Sequence, residues 1–104
     1  MNKIKKAKGI GQKKIKVGKH YVRAYLIPLL RKNLIVLCGR KGYIACGYLD
    51  LAVAEKFGEA AAKVIGVSTF KDVLEAKIYD ASRAAKKLGI FKGQPVKTTL
   101  RLIV

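Results

Sequence analysis

From Lys14 onward the apolar residues first recur every second position and later every third or fourth, so the chain reads as strands followed by helices. Ile15 and Val17 alternate with Lys14 and Lys16, and the run Tyr21 to Ile27 has the β-branched and aromatic content of a strand. Pro28 lacks an N–H for a sheet ladder, so pairing stops near it on one side. Leu34 to Cys38 is apolar on both faces and predicts a buried strand, which Gly39-Arg40-Lys41-Gly42 joins to Tyr43 to Cys46 as a hairpin. Two registers are open: a three-residue loop centred on Gly42 sets Cys38 opposite Cys46, whereas a two-residue Arg40-Lys41 loop sets Cys46 opposite Ile35.

After Gly47 the period becomes helical, with Leu49, Val53 and Phe57 spaced by four and Gly58 as a stop. Asp50 in the first turn complements the helix dipole. Lys63 to Val67 reads as another buried strand, and Thr69 with Asp72 three residues on forms a capping box that opens a short helix through Leu74. A further helix is predicted from about Asp80 to Leu88, with Ala81, Ala84, Ala85 and Leu88 as its apolar face and Gly89 as its cap. The tail fits a helix opened by Pro95, with Val96, Thr99, Leu100 and Ile103 on one side. It also fits a strand through Val96, Thr98, Leu100, Leu102 and Val104, and the helix is preferred. Strands first and helices later define an α+β fold: a small antiparallel or mixed β-sheet from the N-terminal half, packed by two to three helices from the C-terminal half. Residues 1–13 show neither period and are read as a flexible basic arm before one domain over residues 14–104.

Charge sharpens this picture. Residues 1–49 hold 13 Lys and Arg and no Asp or Glu, while the remainder holds ten basic residues and all six acids. The formal charge of +17 on 104 residues is therefore concentrated in the N-terminal half, where it attracts polyanions. The arm's phosphate-binding candidates are Lys3, Lys5, Lys6, Lys8, Lys13, Lys14, Lys16 and Lys19, with Tyr21 and Tyr25 placed to stack on bases. Lysine without arginine clusters lacks the planar forks that read base edges, so such binding is expected to ignore sequence. The bland reading is a solvated surface that keeps the protein in solution.

Other classes are disfavoured. Lysines at 13, 14, 16 and 19 interrupt any export signal, and no apolar run approaches a membrane span. Cys38, Cys46 and His20 do not assemble a zinc site, and no other metal or cofactor is indicated. Reduced thiols fit a cytoplasmic protein.

Two strand-to-helix junctions are candidate sites. Cys46 and Asp50, flanking Gly47, are weak catalytic candidates, since a thiol there gains from unpaired backbone N–H groups while Asp50 opposes a thiolate. Gly47, Ser68 and Thr69 are ligand-binding candidates through backbone amides and hydroxyls. The plainer alternatives are a buried inert Cys46 with Asp50 as a helix-dipole partner, and a helix cap at Ser68 or Thr69.

The segments Gly42 to Leu51, Val64 to Phe70, and Ala84 to Ile90 with Gly93 resemble the YunC-like family, a group of small bacterial and archaeal proteins of unknown function. The resemblance implies an α+β fold with an N-terminal β region used for tetramerisation, and no activity. The lysine-loaded N-terminus departs from that family pattern. The expectation is thus a homo-oligomer without evident enzymatic activity, binding RNA or DNA through its basic half. The alternative is a small-molecule binder or thiol-dependent enzyme near Cys46, Asp50 and Ser68.

Overall fold

The computed structural model describes residues 10–104. Its elements run β1 (Gly11–Val17), β2 (His20–Pro28), β3 (Asn33–Cys38), β4 (Tyr43–Ala45), α1 (Leu51–Phe57), β5 (Ala61–Lys63), α2 (Phe70–Glu75), β6 (Asp80–Ala81), α3 (Arg83–Lys87) and α4 (Val96–Ile103). All six strands form one mixed sheet in sequential order. β4 and β5 are parallel and joined across α1, and the other neighbours are antiparallel. The fold is therefore α+β, with the longer strands in the first half and, among the described residues, every helix after residue 50.

The hairpins follow from their turns. Gly18, at φ 63°, closes β1 on β2 with Val17 opposite His20. Pro28 ends β2 opposite Asn33, where a missing N–H costs least. Between β3 and β4 the two-residue Arg40-Lys41 loop holds, because the Gly39 N–H donates to the Gly42 carbonyl at 2.8 Å. Cys38 faces Tyr43, and the Cys46 N–H donates to the Ile35 carbonyl at 3.1 Å.

One sheet face carries the core. Val22, Ala24, Ile35, Leu37, Ile44 and Ala62 pack there against Val64, Val73, Ile78, Ala85, Ile90 and the Val96, Leu100 and Ile103 side of α4. The tail is a helix, with Thr99 buried on the same side and its hydroxyl donating to the Val96 carbonyl at 2.7 Å. Among the described residues, the outer face is covered only at the β4–β5 end, where Ala54 of α1 is buried with Ala45 and Ala61. Small side chains let the short crossover helix sit close to the sheet.

Three boundaries differ from expectation, as does the exposure of one helix face. β1 begins at Gly11, so residues 11–13 of the expected arm are strand paired to Leu26, Tyr25 and Ala24; residues 1–9 of that arm lie outside the described residues. The strand expected at Lys63 to Val67 is Ala61–Lys63, and Gly66 at φ 71° turns the chain away before Val67. The Asp80 to Leu88 helix loses its first turn: Asp80 and Ala81 pair with Lys63 and Ala62 as β6, and Ser82 caps a helix starting at Arg83. Ala81 points at the core from a strand, which a helical spacing mimics over so short a segment. Finally, Val53 and Phe57, the apolar residues whose spacing by four marked the helix, are 47% and 72% exposed.

Candidate functional site

The uncovered part of the outer face is where the basic residues gather. Alternation along β1 and β2 puts Lys14, Lys16, Tyr21, Arg23 and Tyr25 on this side, with Lys14 opposite Arg23 and Arg23 opposite Cys38. The β1–β2 and β3–β4 turns lie at the same end of the sheet and add Lys19, His20 and Arg40. All of these but Lys16 line a cleft of about 510 Å³ with no acidic residue in its walls.

Local contacts order its cations. The Lys14 ammonium lies 5.6 Å from the Tyr21 ring centroid, a cation–π arrangement. Arg40 Nη2 is 3.2 Å from His20 Nε2. A guanidinium only donates, so Nε2 is the acceptor in this contact. Burial pushes the Cys38 thiol up, and the Arg23 charge opposes this in part, so the cleft floor carries a thiol at neutral pH.

Of the lysines expected to meet polyanions, Lys14 and Lys19 line the cleft and Lys16 shares its face. Lys13 is on the opposite face, its ammonium 5.6 Å from the Phe70 ring centroid. Lys3, Lys5, Lys6 and Lys8 lie outside the described residues. Arg23, Arg40 and His20 were not anticipated as a cluster. Their signal was the β2–β3 register, in which Pro28 opposite Asn33 aligns Arg23 with Cys38, next to the turn that carries Arg40.

The other expected site residues are not brought into one cleft. Cys46 is 3% exposed and belongs to the core cluster. Its Sγ accepts from the Ile35 N–H at 3.4 Å and donates to the Asn33 carbonyl at 3.6 Å. Asp50 caps α1 by accepting from the Ala52 N–H at 2.9 Å and lines a separate groove with Leu49 and Val53. Thr69 accepts from the Asp72 N–H at 3.0 Å, while Asp72 Oδ2 accepts from Ser68 at 2.9 Å and Thr69 at 3.2 Å. These bonds, with the Ser68 N–H foremost, hold the Asp72 carboxyl below its ordinary value. The chain's own carboxylate thus occupies the amides that a bound anion would need. Gly47 lines a pocket with Cys46 but not with Asp50, Ser68 or Thr69.

Among the described residues no three His, Cys, Asp or Glu side chains are grouped to hold a metal, and no helix is long and apolar enough to cross a membrane.

A six-stranded mixed sheet with one helix-covered core face and a partly bare, basic outer face defines a small α+β protein class. Within it, residues 45–103 match the family described as a domain of unknown function, DUF1805, and the chain belongs to that family. It is 33% identical over 81 residues to the uncharacterised protein YunC of Bacillus subtilis (strain 168), covering 74% of this chain and 80% of that protein. Its fold is similar to the crystal structure of a protein of unknown function, TA1206, from Thermoplasma acidophilum, with a TM-score of 0.87 and 32% identity over 91% of this chain and 93% of that one.

Proposed function

We propose that the chain is a non-enzymatic, cytoplasmic homo-oligomer that binds RNA, DNA or a similar polyanion without sequence preference. The observation that carries this reading is the acid-free cleft holding Lys14, Lys19, Arg23 and Arg40 beside Tyr21 and Tyr25. Cations on a rigid sheet track phosphates, and tyrosine rings beside them accept bases of any identity. Oligomerisation, as a tetramer by family resemblance, is supported by the uncovered apolar residues Ile27, Val53 and Phe57, which are 43%, 47% and 72% exposed. The alternative, a thiol-dependent enzyme at Cys46, Asp50 and Ser68, draws no support from a buried thiol, a helix-capping Asp50 and a Ser68 whose N–H is bonded to Asp72.

The test is a salt titration of binding to generic single-stranded RNA and duplex DNA, comparing the native chain with the double variant Lys14→Gln, Arg40→Gln. Losing two phosphate contacts should flatten the slope of log K against log salt by about 1.4 on RNA and about 1.8 on DNA. An unchanged affinity and slope would remove the cleft from the account.

A further inference from the structure

A second site lies at the other end of the sheet. β4 and β5 are the parallel pair, and their carboxyl ends open into the segments Cys46 to Tyr48 and Val64 to Val67. β3 runs antiparallel to β4, so its start brings Lys32 and Asn33 to the same edge. The three segments enclose a pocket of about 270 Å³. Crevices beyond the carboxyl ends of parallel strands are where open α/β sheets place their ligands, because the chain there is free to diverge into loops.

Its chemistry is one-sided. No acid lines it, and Lys32 is its one charged side chain. Among the described residues, nothing accepts a hydrogen bond from the backbone N–H of Gly47, Tyr48, Gly66 or Val67, all of which line the pocket. Gly66 holds φ 71°, and a Cβ built at Gly47 or Gly66 meets nothing within 4 Å, so neither position is glycine to avoid a clash with the protein. The frame is fixed: Asn33 Nδ2 donates to the Ser68 carbonyl at 2.7 Å, tying the β5–α2 loop to β3, and the Cys46 thiol is held by Ile35 and Asn33. Tyr48 and Val67 add apolar wall.

We infer that this pocket binds a small oxyanion, a carboxylate or phosphate carried on a compact metabolite, with Lys32 as counter-charge and the unpaired amides as donors. The volume lies just below the usual range for small-molecule sites, which begins at about 300 Å³, so the ligand is small. The inference does not rest on polyanion binding, since it uses neither the cleft nor its residues.

The experiment is an amide NMR titration of the full chain at fixed ionic strength, with inorganic phosphate in one arm and succinate in the other. Saturable shifts at Gly47, Tyr48, Gly66 and Val67 are expected in at least one arm, and the arm that saturates at lower concentration names the headgroup. Lys32→Gln should weaken that binding about tenfold, the effect of one charge-assisted hydrogen bond. Lys32→Arg should restore most of it, and Arg40→Gln should leave it unchanged. The inference is overturned if neither anion gives saturable shifts at these amides, if Lys32→Gln binds as well as the native chain, or if Arg40→Gln abolishes the shifts, which would assign them to the basic cleft.

Discussion

Ser82 is a buried hydroxyl at a junction, and its removal should cost far more than the loss of an ordinary helix cap. Its side chain is 1% exposed and makes three hydrogen bonds. Oγ accepts from the Ala61 N–H at 3.0 Å and the Ala85 N–H at 3.2 Å, and donates to the Glu59 carbonyl at 2.8 Å. One oxygen therefore caps α3, ties it to β5 and anchors the segment leaving α1. In Ser82→Ala the lost cap costs about 1 kcal/mol. The Ala61 N–H, in a residue with no exposed surface, is left without an acceptor, which adds about 2 kcal/mol. Glu59 is exposed, so water replaces the bond to its carbonyl. The sum of about 3 kcal/mol is a large part of the 5–15 kcal/mol that holds a typical domain folded. Thr69 caps α2 in the same way but from an exposed position, so Thr69→Ala should lose only about 1 kcal/mol. Urea unfolding followed by far-UV circular dichroism, at constant m, measures both. In thermal melts the drops should be about 12–24 °C for Ser82→Ala and about 4–8 °C for Thr69→Ala. Losses equal within about 0.5 kcal/mol would refute the reasoning, because burial of the stranded N–H would then contribute nothing.

Tyr43 is pushed up to about 12 by burial and by its 2.6 Å hydrogen bond to Glu59 Oε1. Its proton is held more tightly folded than unfolded, so its contribution to stability is complete below pH 10 and lost as pH rises towards 12. A carbon-13 titration of the ring should show this midpoint, and Glu59→Gln should lower it without returning it to 10, since burial remains. Gly39→Ala should destabilise by about 1–3 kcal/mol, because the new Cβ collides with the Ile103 carbonyl, which also accepts from the Lys41 N–H at 2.7 Å. Gly47→Ala, with nothing in reach of the added Cβ, should stay within about 0.5 kcal/mol of native in the same melts. Light scattering should give an assembly for the native chain and a smaller species for Val53→Asp with Phe57→Asp; a native monomer would remove oligomerisation from the proposal.

The strand half of the fold was legible because each of its signals is local. Alternation in β1 and β2, Pro28 at a strand end and the glycine-bounded turn all depend on neighbours within a few residues. So were the Thr69–Asp72 capping box and the amphipathic tail. What escaped was set by partners far away in sequence. β6 exists because Lys63 and Ala62 offer it a ladder, and α1 turns Phe57 outward because Ala54 fits more closely against Ala45 and Ala61. The same holds for the sites: the lysine run advertised charge, but only the hairpin register could put Arg23, His20 and Arg40 into one cleft. Cys46 and Asp50 stood close in sequence yet serve separate local roles, one in the core and one as a cap.

On the proposed reading a polyanion-binding surface and a self-association surface would share one sheet face, and the residues proposed for each stand apart on it. Arg23 and Ile27 point the same way along β2, four positions apart, which is about 13 Å of extended chain. The Debye length near physiological ionic strength is about 8 Å. Copies meeting through Ile27, Leu34 and the exposed side of α1 would leave the cations around Arg23 and Arg40 at the rim, beyond the distance at which they strongly oppose association. Assembly driven by those apolar residues would then be nearly independent of salt, while the proposed polyanion binding at the opposite end of the strands would fall steeply with it. Each added copy would bring another acid-free cleft to the same particle, so a long polyanion would bind the assembly through several clefts and more tightly than any one of them allows.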